Sequence, residues 1–253
     1  MRIGLVSYKC KNRDIGFGTA QIERAFREAF GRADALCFGE AFLQGFDSLC
    51  WDRRIDLELA VSRGSETMKR LCALTKEYDM ALITGYIERE GENIYSSCAV
   101  IANGRIVHNY RRISRGWKEY DKTDEHYLEG ENTDEFELLG TKIRLALCGD
   151  LWDHPERFKT DGLLIWPVFC SYPQEEWERD MISEYAAHAA EISAETLMVN
   201  PIDPETETVG GAFRFKDGRV TARTEFGREQ ILIVDTMSGE AEIIPSNPAS
   251  NVI

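Results

Sequence analysis

Residues 143–152 read Ile-Arg-Leu-Ala-Leu-Cys-Gly-Asp-Leu-Trp, an apolar run that stops abruptly at a thiol. The run is short and aliphatic, and it lies between Gly140 and Gly149, which is typical of a buried strand that enters a tight turn. Ligands collect at the carboxyl ends of strands in open α/β sheets, and a turn there can aim backbone N–H groups at a developing oxyanion. Cys148 is therefore a candidate nucleophile, although free cysteine is also among the most buried residue types.

The composition indicates one globular domain that spans residues 1–253. Of the 253 residues, 43% are hydrophobic and 29% are charged, and no linker-like change of composition divides them. Residues 245–253 carry few organising signals and are predicted to be a mobile or partner-bound tail. Residues 1–8 are interpreted as a first strand and not as a signal peptide, and no stretch approaches the length of a membrane span.

The net charge and the cysteine content limit which cellular location and which kinds of partner are expected. The net charge of −14 would repel phosphate backbones, and no basic stripe is present, so nucleic acid is not expected as a partner. The seven cysteines form no CxxC pair and their number is odd, which favours a reducing, cytoplasmic location. The four histidines show no metal-binding spacing, and the Walker and complete GxGxxG patterns are missing, so neither a metal nor another cofactor is expected.

Strand-like and helix-like segments alternate through the first half of the chain. An apolar strand at 3–8 precedes a helix whose apolar residues recur every three or four positions, and the same order is repeated before the strand at 81–87. The dipeptide Asn103-Gly104 then separates two strand-like runs and is the strongest short signal for a β-hairpin. The sequence therefore predicts both parallel and antiparallel strand pairing.

The second half contains a long loop and a final group of strands. Residues 111–133 are polar and have no period, and loops of this length inside a compact domain are uncommon unless they are functional. Strands at 210–215, 220–226 and 231–235 are predicted to form a meander. The pattern indicates a layered α/β architecture, but it does not separate a four-layer sandwich of two sheets from a single doubly wound sheet.

Three short segments, around Glu40, Arg112 and Cys148, resemble the active site of the carbon-nitrogen hydrolase (nitrilase) superfamily. Phe38-Gly-Glu40 is similar to its glutamate strand end, the segment from Asn103 to Arg112 to its hairpin and Tyr-Arg-Lys motif, and the segment from Leu147 to Trp152 to its cysteine turn. The resemblance covers nearly the whole chain. It implies an α-β-β-α sandwich in a single domain and a homodimer or higher homo-oligomer.

The resemblance also implies a reaction, in which a small amide is hydrolysed and ammonia is released. Cys148 would attack the carbonyl carbon to give a thioester, and Glu40 would be its general base, because a free thiol is only slightly ionised at neutral pH. Glu125 matches by position a second, supporting glutamate. The sequence around Cys148 and Glu125 resembles the glutamine-amidase branch of NAD synthetases more than the nitrile branch, which favours a primary amide, an ω-amide or a ureido compound over a nitrile.

The chain departs from the family pattern at the catalytic lysine, where Arg112 stands. Arginine stays protonated at any accessible pH, so it can stabilise an oxyanion but is a poor proton donor. Three interpretations follow: an enzyme that uses Arg112 as a fixed cation, an enzyme that recruits Lys118 or Lys122, or a protein of this fold that binds small molecules or acts as a scaffold without turnover.

Four further residues are predicted to bind substrate. They are Asp150, Trp152, Trp117 and Tyr172. Each is a polar or aromatic residue near the Cys148 turn, in the long loop or after the next strand, and for the aromatic residues plain core packing is the competing interpretation.

Overall fold

The computed structural model describes residues 1–246, which form two mixed β-sheets with helices on both outer sides. The strands in this part of the chain are β1 Arg2–Ser7, β2 Ala35–Cys37, β3 Ala81–Glu90, β4 Asn93–Ala102, β5 Arg105–Arg111, β6 Phe136–Leu138, β7 Thr141–Leu145, β8 Leu163–Pro167, β9 Glu195–Asp203, β10 Thr208–Lys216, β11 Arg219–Arg223, β12 Gln230–Asp235 and β13 Ala241–Pro245. The helices are α1 Ile15–Ala29, α2 Arg53–Leu59, α3 Glu66–Glu77, α4 Asp150–Asp153, α5 Gln174–Glu176 and α6 Ile182–Ala190. A π-helical turn, Trp177–Met181, joins α5 to α6, and two short 3-10 turns are at Phe46–Ser48 and Pro155–Arg157.

Each sheet has a parallel centre and antiparallel edges. The first sheet has the order β13-β12-β1-β2-β3-β4-β5, with β1, β2 and β3 parallel, and the second has the order β11-β10-β9-β8-β7-β6, with β7, β8 and β9 parallel. The carboxyl ends of β2 and β7 precede Glu40 and Cys148. The two candidate residues therefore come from different sheets.

The apolar core lies between the two sheets, and a second apolar layer lies under the helices. Ile3 and Leu5 of the first sheet belong to one buried cluster with Ile143 and Leu145 of the second. Outside the first sheet, side chains of α1 and α3 form a separate buried cluster with the outer faces of β2 and β3. On the other side, α6 packs on β9, β10 and β11. This arrangement confirms the four-layer α-β-β-α sandwich and excludes the single doubly wound sheet.

The hairpin prediction is confirmed, and the terminal meander is wrong. Asn103 and Gly104 both have positive φ, 52° and 79°, as a two-residue hairpin turn between β4 and β5 requires. In contrast, β12 does not continue from the β10–β11 hairpin but crosses to the first sheet, where Asp235 is paired with Arg2 of β1. Alternating apolar residues identify a strand, but its partner is set by contacts far away in sequence.

The described residues end just after β13. Pro245 is the last residue of β13, so the predicted tail begins within a strand, and residues 247–253 lie outside the described residues. In residues 1–246, no helix combines the length and the apolar composition that crossing a membrane requires.

Candidate active site

Glu40, Arg112 and Cys148 come together at one edge of the sandwich. Glu40 follows β2, Arg112 follows β5 and Cys148 follows β7. Glu40 is 0% exposed and Arg112 is 3% exposed, and Nη1 of Arg112 lies 2.9 Å from Oε1 of Glu40. The ion pair is therefore buried, which is stable only when the remaining polar atoms are also satisfied or have another use.

Glycines on neighbouring segments make room for Glu40. A Cβ at Gly85 of β3 would lie 2.7 Å from Cα of Glu40, and one at Gly39 would lie 2.5 Å from Pro201. Oε1 of Glu40 also accepts a hydrogen bond from Oγ of Ser96 at 2.8 Å. Oε2 is buried and has no hydrogen-bond partner among the described residues, so it is free to accept a proton.

Two of the three guanidinium nitrogens of Arg112 donate hydrogen bonds to described residues, and the third donates none. Nε donates to Oγ of Ser114 at 2.7 Å and Nη1 donates to Glu40. Nη2 lies against the cysteine turn, 2.5 Å from where a Cβ on Gly149 would be, and donates to no residue in the described part of the chain. Burial disfavours the charged guanidinium, but the charges of Glu40 and Cys148 outweigh this and raise the pKa of Arg112 above its usual range. The free N–H group therefore stays a cationic donor.

The turn that carries Cys148 is strained and firmly held. Cys148 has φ of 42°, in the left-handed region that residues other than glycine seldom adopt. Its N–H donates to the carbonyl of Pro167 at 3.0 Å, and Nε1 of Trp166 donates to its carbonyl at 2.9 Å. Such backbone strain costs about 1–3 kcal/mol and is concentrated at functional sites.

A second thiol, Cys170, contacts the Cys148 thiol and was not predicted. The hydrogen bond with Cys170 lowers the pKa of Cys148, and Arg112 adds to this against the opposing effects of burial and Glu40. The same contact, together with burial, raises the pKa of Cys170 well above its usual range. Its Sγ lies 3.2 Å from Oη of Tyr185, and the side chain of Asn200 bonds both backbone groups of Cys170. The signal that could have found it is its place after β8, the neighbour of β7.

Asp150 links two segments of the site by hydrogen bonds and does not line the cavity. It is 0% exposed, and its Oδ1 accepts hydrogen bonds from the backbone N–H groups of Ile113 and Ser114 at 3.0 and 2.8 Å. Its Oδ2 accepts from the N–H of Leu147 at 2.8 Å and from Oη of Tyr110 at 2.5 Å. Asp150 thus ties the arginine segment to the cysteine turn, and it does not line the cavity as a substrate contact would.

A cavity of 480 Å³ opens at Cys148, and two of the predicted substrate-binding residues line it. Trp152 and Tyr172 are on its wall with Cys148. Trp117 is not: it is 5% exposed and packs with Tyr127 in a separate buried cluster. Trp117 therefore follows the competing interpretation of core packing, and substrate binding by Trp152 and Tyr172 stays a prediction.

The remaining candidates lie elsewhere in the long loop. Nζ of Lys118 forms an ion pair with Glu129 at 2.9 Å and donates to the carbonyl of Tyr127, while Lys122 pairs with an exposed glutamate, Glu119. Glu125 is exposed and has no hydrogen bond or ion pair with another residue in 1–246. The structure brings Arg112, and neither lysine, to Glu40, and it does not bring Glu125 there.

Metal ligands are not grouped in the described part of the protein. Within residues 1–246, no three or more His, Cys, Asp or Glu side chains are arranged to hold a metal ion. His188 bonds the carbonyl of Leu151 through Nε2 at 2.8 Å, and His108 stacks on Phe136. Both histidines thus have structural contacts.

Comparison with known proteins identifies the family and the fold. The family model for carbon-nitrogen hydrolase matches residues 2–242. An arylacetonitrilase from Aspergillus niger is 29% identical over 99 residues, which are 36% of this chain and 29% of that protein. A glutamine-dependent NAD(+) synthetase from Thermotoga maritima is 29% identical over 129 residues, 49% of this chain and 21% of that protein. The aligned stretches thus span less than a third of either relative.

The fold is shared with a solved amidase. The amidase from Nesterenkonia sp. AN1, in a structure with acrylamide added to its active-site cysteine, has a TM-score of 0.74, 18% identity, and coverage of 94% of both chains. At this identity the likeness concerns the fold alone. The match of the family model over nearly the whole sequence shows that the chain belongs to the carbon-nitrogen hydrolase family.

Proposed function

We propose that the protein hydrolyses the C–N bond of a small amide through a thioester on Cys148 and releases ammonia. The observation that carries the proposal is a pair of free polar groups around the thiol. Oε2 of Glu40 has no partner in the described protein, and neither has Nη2 of Arg112 beside the Cys148-Gly149 turn. One group can accept a proton and the other can stabilise an oxyanion, which are the two needs of acyl transfer.

In the first half of the reaction, Glu40 takes the proton of the Cys148 thiol and the thiolate attacks the amide carbon. The carbonyl π electrons move to oxygen, and the oxyanion is stabilised by Nη2 of Arg112 and by the N–H of Gly149, which donates to no group in the described residues. When the carbonyl re-forms, the C–N bond breaks and the amine leaves with the proton from Glu40. Arg112 does not supply this proton, because its pKa is raised.

In the second half, water cleaves the thioester. Glu40 removes a proton from water, hydroxide adds to the acyl carbon, and the same two donors stabilise the oxyanion. The C–S bond then breaks, Cys148 regains its proton from Glu40, and the carboxylic acid leaves. Arg112 thus acts as a fixed cation, which is the first of the three interpretations of its presence.

The decisive experiment is a screen of the purified protein against primary amides, ω-amides and ureido compounds, with ammonia release as the readout. We expect turnover of at least one small amide, and no turnover by Cys148→Ala. Cys72→Ala is the matched control, because Cys72 is a partly exposed thiol on α3 whose pKa is raised by burial. Silence of the wild type, with activity gained in Arg112→Lys, would instead support a binding or scaffold protein.

We also propose that the chain works in the cytoplasm as one domain in a homodimer or higher homo-oligomer. All seven cysteines are free, which supports a reducing location. The family resemblance supports the oligomer. Light scattering after size-exclusion chromatography tests it, and a monomer at micromolar concentration would contradict it.

A further inference from the structure

The cavity at Cys148 carries an uneven distribution of charge. Among the described residues that line the cavity, Glu184 is the one with a carboxylate, and no lysine or arginine is present. Glu184 is exposed on the first turn of α6. It forms no ion pair and no hydrogen bond with another residue in 1–246, so its carboxylate is left for a ligand.

Aromatic rings form the walls beside this carboxylate. Trp152, Tyr172 and Tyr185 line the cavity with Glu184. Trp152 is 37% exposed, and one of its faces is stacked on His188 with ring centroids 4.0 Å apart. Tyr185 meets Trp152 edge to face at 5.1 Å, so the rings hold one another in place.

These rings are free to bind a cation. In the described chain, every lysine or arginine that lies over an aromatic ring lies over a ring outside this cavity. Aromatic faces attract ammonium groups, and a carboxylate among them adds charge pairing. The π-helical turn Trp177–Met181 directly precedes α6, and such turns occur often at functional sites.

We propose that this cavity selects amides whose acyl chain ends in an ammonium group, which would lie between the Glu184 carboxylate and the rings of Trp152 and Tyr172. The inference rests on the proposed function, because it assigns the substrate class of the same site. A carboxylate at the same end of the substrate would meet Glu184 with no cation to offset the repulsion. Glutamine, which carries a carboxylate as well as an ammonium, is therefore a poorer substrate than its decarboxylated counterpart, 4-aminobutanamide.

The test compares three amides of similar size: 4-aminobutanamide, its neutral isostere pentanamide, and the anionic glutaramate. We expect kcat/KM to be about tenfold higher for 4-aminobutanamide than for pentanamide, and lowest for glutaramate. In Glu184→Gln the ratio of kcat/KM for the first two amides should fall close to one, mainly through KM. In Glu191→Gln, an exposed glutamate just beyond α6, the ratio should keep its wild-type value.

A second readout keeps this inference separate from the proposed function. Binding of the three amides to Cys148→Ala, measured by calorimetry, should follow the same order even if none is turned over. Turnover with equal kcat/KM for all three amides would overturn the ammonium selection and leave the hydrolase proposal intact. Preferential binding of 4-aminobutanamide without turnover by the wild type would support the ammonium selection and overturn the hydrolase proposal. Equal binding of all three amides would overturn the ammonium selection.

Discussion

Two neighbouring arginines at the end of β5 each form an ion pair with a buried glutamate, and the two pairs have different surroundings. Nη2 of Arg111 lies 2.8 Å from Oε1 of Glu88, and Nη1 of Arg112 lies 2.9 Å from Oε1 of Glu40. Both glutamate side chains are 0% exposed. The two pairs are thus alike in composition, in distance and in the burial of the glutamate, but the side chain of Arg111 is 22% exposed and that of Arg112 is 3% exposed. They also differ in what surrounds the glutamate.

The Glu88 pair is closed. Oε2 of Glu88 accepts hydrogen bonds from Ser97, Asn109 and Nε of Arg111 at 2.7, 2.9 and 2.9 Å, and its Oε1 also pairs with Arg63 at 3.1 Å. Burial alone would raise the pKa of Glu88, but the hydrogen bonds from Arg111 and Ser97 outweigh it and hold the pKa below its usual value. Such a pair holds strands together and has no free group for chemistry.

The Glu40 pair is open on the side of the thiol. Oε2 of Glu40 and Nη2 of Arg112 have no partner in the described chain, and Nη2 lies against the Cys148 turn. A buried polar atom without a hydrogen bond costs about 1–3 kcal/mol, so an ion pair kept in this state is expected to have a use in the reaction. The free atoms, and not the ion pair as such, therefore mark the site.

The largest expected effect comes from replacing the two glutamates in turn. Glu40→Gln removes the base and should lower kcat by about 10²–10⁴-fold. Glu88→Gln should keep kcat within a few-fold but lower the free energy of unfolding by about 1–3 kcal/mol, because it removes the buried carboxylate while Arg111 keeps its ion pair with Glu90. Rates of ammonia release and denaturant unfolding measure the two effects. Equal loss of kcat in both variants would remove the distinction between the pairs.

The arginines should separate in the same way. Arg112→Met removes the free donor and should lower kcat by about 10²–10³-fold, which is the cost of losing one oxyanion donor. Arg111→Met should act mainly on stability, and Arg112→Lys should retain part of the activity, because it keeps the charge but loses the fork. Steady-state kinetics on the best amide checks this. Wild-type kcat in Arg112→Met would show that Nη2 has no catalytic use.

The closed pair also predicts a dependence of stability on pH. Because the pKa of folded Glu88 is lowered, its contribution to stability is present above the unfolded pKa and is lost as the pH falls through the folded pKa. The free energy of unfolding of Glu88→Gln should therefore fall less than that of the wild type between pH 7 and pH 3. Urea unfolding at a series of pH values measures this, and parallel curves for the two proteins would contradict it.

The smallest expected effect concerns the thiol that the open pair faces. Cys170→Ala removes the hydrogen bond that lowers the pKa of Cys148, so that pKa should rise. The pH profile of Cys148 alkylation by iodoacetamide should move to higher pH, while kcat at neutral pH falls by less than about tenfold. The Cys72→Ala variant should keep the wild-type profile. A profile that stays in place in Cys170→Ala would show that the second thiol does not tune the first.

Sequence patterns were sufficient to place residues at strand ends. They were insufficient to place residues whose position depends on contacts with distant segments. The strand-end positions of Cys148 and Glu40 could be predicted because each follows a short apolar run, whereas their roles were predicted from the family resemblance. The Asn103-Gly104 hairpin could be predicted because its turn is local. Cys170 could not be distinguished from other buried cysteines, since its contact with Cys148 depends on the order of β7 and β8 in the sheet.

Long-range contacts also explain the wrong meander prediction and the positions of two predicted site residues. The crossing of β12 to the first sheet depends on contacts between the two ends of the chain. Glu125 was assigned by position in a loop that has no regular structure, and its side chain is exposed. Trp117 is aromatic in the same loop, but it is buried in a core that only the folded loop creates. For β12 and Trp117, contacts with distant parts of the chain decide the place of the residue, and local sequence does not carry that information.

The central claim, that Cys148 is the nucleophile of an amide hydrolase, is tested most directly by intact-mass measurement during turnover. The protein is mixed with its best amide and quenched in acid. One portion is weighed intact, and a second is digested for peptide mapping. We expect an acyl adduct on Cys148 that is lost on further incubation and is absent in Cys148→Ala. Ammonia release without an adduct on Cys148, or with the adduct on another cysteine, would contradict it.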